Sequence, residues 1–455
     1  MKRETKFVVG LVAANIIIRL IYFFSNTMFK GGGDWYSYTE LAIRIQKLNF
    51  FNYDFTRTPG FPLTIILSNA DFQSLNWSTV NFQNTVILQM IMGVMIAVLL
   101  FYIIKQLSSY KFAVAGSLLY TIFIPHVFYE FFIISETTAL FYFTLTAFLL
   151  LLYLKKKQGY ILLLLGLSTS LMVLTKPETI IFAVIIGLQL LYGFRNEIVK
   201  NYKNILYYTL PNLIIIGGWM ILFYQQTGTV GVSTLAGNAE FSKAEFCCFD
   251  EIPKHFSDPN SQKLMDIYLE QREVIFKETP DLVYWTIWNM DMQKKMELST
   301  GLNYAQRSKI FGSIAISAFK KAKYQYIKNS LSGFIKQYRI LGVESSFLPV
   351  TIFRFIVNWV LRIGFYLCEI GFIISIFYFR FSRQKIQQYF NFPEFYIIFC
   401  IALLLTQISS AMIGHGNEGN RAFFYCKDII FILGGIFLYR YSISRINKST
   451  LKILK

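Results

Sequence analysis

Long, almost uncharged apolar runs are the feature that most constrains how this chain can fold. Of its 455 residues, 55% are hydrophobic and only 15% are charged. Roughly twenty apolar residues let a helix cross the hydrocarbon core of a bilayer. We therefore expect an all-α polytopic membrane protein, a single integral membrane domain over residues 1–455 with about ten transmembrane helices. The predicted spans lie near residues 7–26, 83–104, 111–128, 134–154, 159–175, 177–194, 205–224, 352–379, 393–413 and 424–443.

Basic residues predict the orientation of these spans, because short cytoplasmic loops are enriched in lysine and arginine. We place the basic loops and both termini in the cytoplasm, and the protein in the inner (plasma) membrane. The outer face then receives two long segments, 27–82 and 225–351, which we expect to form a small, mainly helical cap. The basic clusters that alternate with the spans lie at 2–6, 105–111, 155–157, 195–203, 380–385 and 440–455.

The net charge of +18 is explained by those loops, so we expect no nucleic-acid partner. The five cysteines include the neighbours Cys247 and Cys248 but no C-x-x-C pair. This pattern favours neither a disulfide framework nor a zinc site.

The second long segment contains a helical pattern at 312–341. Apolar residues recur at helical spacing, and lysines cover the other faces. The pattern is typical of a basic amphipathic helix on a membrane surface, and equally of a solvated helix that leads into the next span.

Asp34 is the first acidic residue that could carry chemistry, because it follows the first span where the chain meets water. It could equally be an ordinary loop acid or a helix N-cap. The turn 57–62 (Arg-Thr-Pro-Gly-Phe-Pro) holds Arg57 where the chain returns to the membrane surface. An arginine there can pair with a phosphate, or it can simply snorkel.

Glu136 lies inside an apolar run, where a carboxylate is costly unless it has a partner or lines a wet cavity. Glu130 is a rival for its role, and we expect it at the interface. Lys176 precedes Pro177 and Glu178 between two apolar runs, so it can bind an anion or snorkel.

Together these stretches resemble the GT-C superfamily of glycosyltransferases. The closest likeness is to the branch that uses polyprenyl-phosphate sugars, which includes the protein O-mannosyltransferases and the lipid A aminoarabinose transferases. The chain departs from the family at Leu222 and Phe223, where Arg-Asn is common, and lacks the usual Arg-Tyr-x-x-Pro run near Glu418. The resemblance rests on Asp34, Tyr36, Ala42 and the 57–62 turn, on 125–143, on 174–182, on Trp219, Tyr224, Gly228, Ser233, Thr234, Gly237 and Asn238, and on 323–338.

The resemblance implies an inverting transferase that moves a monosaccharide from a polyprenyl-phosphate donor to an acceptor hydroxyl at the outer face. The acceptor would be a glycan, a lipid or a protein, and a divalent cation (Mg²⁺ or Mn²⁺) is a possible cofactor. No metal ligand is assigned. The implied roles are catalytic for Asp34 and Glu136, donor-phosphate binding for Arg57, Lys176 and Arg421, and substrate binding for Tyr38, Glu178, Asn238 and Glu418.

Two other functions suit parts of the pattern. A multi-span transporter would show repeats and acids near the bilayer midplane, whereas these acids cluster at one face. A polysaccharide polymerase or ligase would also use lipid-linked glycans and a large outer loop.

Overall fold

The computed structural model describes residues 3–25, 34–50, 53–69, 81–122, 124–279, 286–336, 362–413 and 426–453. Within these ranges the regular elements are helices, and no β-strand occurs. They are α1 (Arg3–Ser25), α2 (Trp35–Lys47), α3 (Gly60–Ser68), α4 (Phe82–Leu107), α5 (Tyr110–Ile122), α6 (Ile124–Glu130), α7 (Glu136–Lys156), α8 (Gly159–Thr175), α9 (Ile180–Phe194), α10 (Ile198–Asn212), α11 (Gly218–Thr227), α12 (Leu235–Cys248), α13 (Pro259–Glu278), α14 (Met290–Thr300), α15 (Tyr304–Lys321), α16 (Lys323–Lys336), α17 (Arg362–Phe379), α18 (Arg383–Gln387), α19 (Pro393–Ile413) and α20 (Lys427–Ile453).

Six helices in the described ranges are long and apolar enough to cross a bilayer, and two shorter apolar helices accompany them. Because a helix satisfies its own backbone hydrogen bonds, it is the natural way for such runs to lie in lipid. The prediction of an all-α polytopic membrane protein is confirmed. All eight helices coincide with predicted spans: Arg3–Phe24, Phe82–Leu107, Glu136–Lys156, Pro177–Phe194, Val199–Thr227, Pro393–Met412, Gly159–Thr175 and Ile363–Phe379.

The other two predicted spans include residues outside the described ranges, so the count of ten stays a prediction. Residues 111–128 fall on α5 and α6, which lie on either side of residue 123. Residues 424–443 overlap α20, whose first two residues, Lys427 and Asp428, are charged and buried. A stretch with buried charges at its start is less apolar than its average suggests.

The span from Val199 to Thr227 combines two helices through a π-helical turn at Leu213–Gly217. Pro211 lies just before that turn, inside α10. A proline removes one backbone hydrogen bond and crowds the preceding turn, which accounts for a local change of helical pitch. Beyond the turn, α11 continues to Thr227 and packs against Phe55.

Helices α12 to α16 are called the cap below. The first four of them, α12, α13, α14 and α15, share a hydrophobic core of their own. The Phe241 ring lies 4.8 Å from Tyr268 and 4.7 Å from Phe311, centroid to centroid. Such edge-on aromatic contacts add to the gain from burying apolar area. The helical pattern predicted over 312–341 is divided between α15 and α16, and its last five residues lie outside the described ranges.

The cap contacts the membrane helices at one end of α19. The Lys243 ammonium donates to the Ala411 carbonyl over 2.9 Å, and the Tyr326 hydroxyl donates to the Met412 carbonyl over 3.3 Å. These carbonyls belong to the last described turn of α19. The two bonds therefore fix α12 and α16 against α19.

The cap should lose stability as pH rises, because of a buried acid. Glu245 is fully covered on α12, and burial raises its pKa to about 7 despite the Arg272 guanidinium 3.0 Å away. A raised folded-state pKa means that its stabilising contribution is present below the unfolded pKa and lost as pH rises through 7. We expect thermal stability to fall between pH 5 and 8 by at most roughly 3 kcal/mol through this group.

The measurement is the melting temperature of the purified protein across that pH range. In Glu245→Gln this component of the slope should vanish, whereas Glu273→Gln, an exposed glutamate on α13, should keep it. A wild-type slope that survives in Glu245→Gln would mean that another group titrates.

Candidate active site

Asp34 and Arg57 form an ion pair at the start of α2. The Arg57 Nη2 donates to Asp34 Oδ1 over 2.5 Å, and both side chains are about three-quarters covered. Asp34 occupies the N-cap position of α2, yet its side chain makes no capping hydrogen bond. The carboxylate therefore points to the guanidinium instead of serving the helix end.

Two further contacts orient Arg57. Its Nε donates to the Ser37 hydroxyl over 3.0 Å, and its guanidinium carbon lies 4.9 Å from the centroid of the Tyr38 ring. Asp34, Ser37 and Tyr38 all belong to the first turn of α2 or its cap. The planar guanidinium thus lies against one end of that helix.

The turn that presents Arg57 is fixed by a close approach at Gly60. A Cβ on Gly60 would overlap the Thr175 hydroxyl and approach within 2.5 Å of the Thr175 backbone nitrogen. Only glycine leaves room for this contact between α3 and the end of α8. It brings the Arg57 turn beside the Lys176 turn.

An aromatic cluster holds the same loop from the other side. Phe55 is completely buried, with its ring centroid 5.5 Å from Trp219 and 5.6 Å from Phe223 on α11. The Phe55 backbone has a φ of 51°, which is unusual for a residue with a side chain. The packing of Phe55 against α11 therefore accompanies a sharp local bend just before Arg57.

Tyr38 links this pair to a second pair. Its hydroxyl donates to the Ser135 hydroxyl over 3.1 Å, and Ser135 immediately precedes α7. Glu136, the first residue of α7, is 1% exposed, and its Oε1 lies 3.5 Å from the Lys176 ammonium. Acidic residues suit a helix N-terminus because the helix dipole is positive there.

The structure thus brings together five of the predicted site residues: Asp34, Arg57, Tyr38, Glu136 and Lys176. Glu178 lies two residues beyond Lys176 in the same turn and is partly buried. Glu136 and Lys176 lie at the start of α7 and the end of α8, opposite the basic Lys155–Lys157 turn that joins the two helices. Glu418 and Arg421 lie outside the described residues.

Asn238 lies apart from these pairs, in the cap. Its side-chain nitrogen donates to the Tyr304 hydroxyl over 2.7 Å, and its backbone nitrogen donates to the Ser308 hydroxyl over 3.2 Å. It joins α12 to α15, and Gly237 permits the contact because a Cβ there would overlap the Ser308 carbonyl. Its predicted substrate role stays a prediction.

The cap nevertheless reaches the Arg57 loop through three hydrogen bonds to consecutive carbonyls. Thr234 donates from its hydroxyl to Asp54 and from its backbone nitrogen to Phe55, over 2.8 and 3.0 Å. Ser233 donates from its hydroxyl to the Thr56 carbonyl over 3.1 Å. Arg57 is the next residue, so the cap helps to fix its backbone.

Sequence reasoning missed several polar contacts. Ser37 and Ser135 are ordinary serines whose only signal is their position beside Asp34 and Glu136. Arg19 and Glu130 were also missed as a pair: their Nη2 and Oε1 atoms lie 2.6 Å apart, and both side chains are 1% exposed. Glu130 was expected at the interface and is buried instead, and an arginine inside the first apolar run was the available signal.

The divalent cation (Mg²⁺ or Mn²⁺) that the resemblance implies as a possible cofactor stays a prediction. Within the described ranges no three His, Cys, Asp or Glu side chains come together. Asp34 and Glu136 each contact a cationic side chain of the chain itself. We therefore route no chemical step through a metal ion.

No family model and no curated protein matches this sequence. Among solved structures, the chain is similar to the Archaeoglobus fulgidus oligosaccharyltransferase in the apo form, at TM-score 0.47 and 14% identity. That match covers 99% of this chain and 52% of the other. ArnT from Cupriavidus metallidurans matches in its apo state at TM-score 0.38 and 12% identity, over 96% of this chain and 78% of the other.

The chain spans only about half the length of the archaeal transferase, and the identities and TM-scores are low. Activity and substrates have to be inferred from this chain's own residues.

Gly60→Ala should disturb the site without touching a charged group. The added Cβ would push α3 away from Thr175, and overpacking of this kind costs about 1–3 kcal/mol. We expect a melting temperature several degrees below that of the wild type. Gly193→Ala is the control, because nothing lies within 4 Å of a Cβ at that position. Equal melting temperatures for the two variants would contradict the close approach.

Proposed function

We propose that this protein is an inverting glycosyltransferase. It would move a monosaccharide from a polyprenyl-phosphate donor to an acceptor hydroxyl at the outer membrane surface. The observation that supports this function best is the pairing of two carboxylates with two cations at one set of span ends. Transfer from a lipid phosphate needs a base for the incoming hydroxyl and positive charge for the outgoing phosphate.

Asp34 is the proposed base. An ionised carboxylate takes the proton of the acceptor hydroxyl as its oxygen attacks the anomeric carbon. The bond from that carbon to the phosphate oxygen breaks on the opposite side, and the electron pair leaves with the phosphate. One displacement of this kind inverts the anomeric centre without a covalent enzyme intermediate, unlike the retaining two-carboxylate scheme.

Arg57 and Lys176 are the proposed phosphate ligands. A guanidinium has five N–H donors, so Arg57 can contact a phosphate while it still holds Asp34. Charge-assisted hydrogen bonds to an oxyanion are stronger than neutral ones. Because both cations lie at span ends, they can meet a headgroup whose hydrocarbon tail stays in the bilayer.

Glu136 would keep Lys176 in place and orient the acceptor, with Tyr38 and Glu178 beside it. We keep the predicted substrate-binding roles of Asn238 and Glu418 and the predicted phosphate-binding role of Arg421. Glu418 and Arg421 lie outside the described residues. We propose an undecaprenyl-phosphate sugar as donor; one matched ArnT structure is bound to undecaprenyl phosphate, at TM-score 0.37 and 11% identity over 95% of this chain and 78% of the other.

One observation suits a transporter: Arg19 and Glu130 form an ion pair buried among the helices. Transporters often carry such residues in their pathways. Here both side chains are 1% exposed, and Gln89 further ties the segment by donating to the Glu130 carbonyl over 3.0 Å. The contacts are those of a closed helix junction, so we favour chemistry at the span ends.

Asp34→Asn should abolish sugar transfer while leaving the protein folded. An amide keeps the shape but cannot accept the proton, and general-base catalysis contributes about 10²- to 10⁴-fold. The assay is transfer of label from a panel of polyprenyl-phosphate sugars in membranes with matched protein levels. Asp266→Asn, an exposed acid in the cap, is the control. Wild-type transfer by Asp34→Asn would rule out this mechanism.

Arg57→Lys should retain some activity, and Arg57→Gln much less. Lysine keeps the charge but cannot contact Asp34 and Ser37 together, and loss of a donor aimed at developing charge costs about 10²- to 10³-fold. Initial rates in the same assay separate the two variants. Arg44→Gln, which breaks the partly exposed pair with Glu40 within α2, is the control and should be near wild type. Equal transfer rates for Arg57→Gln and Arg44→Gln would contradict the proposed role of Arg57 in phosphate binding.

A further inference from the structure

A cavity of about 440 Å³ lies between the end of α11, the turn that follows it and α15 of the cap. Its wall includes Phe223, Tyr224, Ser233, Ser308 and Lys309. Its volume is within the range of about 300–1,000 Å³ for sites that bind drug-sized molecules. Neither ion pair of the candidate active site contributes to its wall.

The cavity adjoins the proposed base through one short loop. Ser233 in its wall donates to the Thr56 carbonyl over 3.1 Å, and the next residue is Arg57, which holds Asp34. A molecule in this cavity therefore lies on the cap side of the loop that carries Arg57. The donor tail would lie on the membrane side, so the cavity is placed for the second substrate.

The chemistry of the wall suits a hydroxyl-rich ligand. The Ser233 hydroxyl donates to Thr56 and accepts from the Leu235 backbone nitrogen over 3.2 Å. A hydroxyl has one donor and two acceptor positions, so such a group can still accept a bond from a ligand hydroxyl. The Tyr224 ring, largely exposed, offers a flat surface for a sugar ring.

Charge on the same side of the cap favours a negatively charged ligand. Residues 301–336 contain seven basic residues and no Asp or Glu. Exposed positions on α15 recur at helical spacing from the cavity outwards, through Gln306, Lys309, Ser313 and Lys320. Arg307 is already engaged, donating to the Leu302 carbonyl and to Gln293. The basic residues are Arg307, Lys309, Lys320, Lys321, Lys323, Lys328 and Lys336.

We propose that this cavity is the acceptor site and that the acceptor is an anionic glycan or polyol that carries phosphate or carboxylate groups. The assignment rests on the proposed transferase function, and it narrows the acceptor from any glycan, lipid or protein to one chemical class. The reacting hydroxyl would enter beside the loop of Arg57, and the charged remainder would follow α15 past Lys309 towards Lys320.

The test measures binding to the full-length protein in phosphatidylcholine nanodiscs, without donor. The probes are a short glycerol-phosphate oligomer, an oligogalacturonate, a neutral malto-oligosaccharide and an oligo-aspartate peptide. We expect the two anionic carbohydrate-like probes to bind more tightly than the other two. Their affinity should fall with added salt, because exposed charges are screened over about 10 Å at 0.1 M.

Two variants and one control locate the binding. Lys309→Gln should weaken the anionic probes by about fivefold to tenfold, as expected for a lost charge-assisted bond, and leave the neutral probe unchanged. Ala236→Trp, which adds a ring at an exposed position on the wall, should weaken all carbohydrate-like probes. Lys294→Gln removes an exposed cap lysine on α14 and should bind like the wild type.

Four results would overturn the proposal: equal binding of neutral and anionic probes, tighter binding of the peptide, no binding at all, or no effect of Lys309→Gln. Because donor is absent, binding is separate from transfer. If the anionic probes bind as expected but no sugar is ever transferred, the transferase proposal fails while the anionic site remains. If sugar is transferred but the anionic preference is missing, only the acceptor assignment fails.

Discussion

The candidate site depends on the docking of the loop that carries Arg57 onto the ends of α8 and α11. Gly60 allows α3 to touch the backbone at Thr175, and Phe55 packs against α11 on the other side of the loop. Between these two contacts lies Arg57, whose position is thereby set by packing. Without either contact, the loop that carries the guanidinium would be less constrained. Fixing the long Arg57 side chain in its site would then cost more conformational entropy.

Charge pairing is the second requirement, because burial penalises single charges. Glu136 is almost fully covered and would be costly alone, but Lys176 lies next to it. Removing one partner of a covered pair usually costs more stability than the pair contributes, since it leaves an uncompensated charge. In the proposed mechanism, the positive and negative groups would already be in place before a substrate binds, so the reaction would need little reorganisation.

The membrane-spanning helices could be predicted from sequence because the length and apolarity of a run determine whether it can cross a bilayer. The candidate site could be predicted only in part. Six candidate spans and two shorter apolar helices coincide with the predicted apolar runs, whereas the buried charges at the start of α20 depend on tertiary partners. Asp34 and Arg57 were each identified, but their pairing across 23 residues requires the Gly60 contact, which no local pattern reveals. The Arg19–Glu130 pair joins residues 111 positions apart, so Glu130 alone suggested an interfacial acid.

The three hydrogen bonds between the cap and the Arg57 loop all end on main-chain carbonyls, at Asp54, Phe55 and Thr56. Every amino acid supplies that carbonyl, whereas two of the three donors are the side-chain hydroxyls of Ser233 and Thr234. The loop side of this junction therefore tolerates more amino-acid substitutions than the cap side. The side chains at positions 54 and 56 can change while these hydrogen bonds are kept. The loop before Arg57 can therefore vary in sequence and still remain bound to the cap.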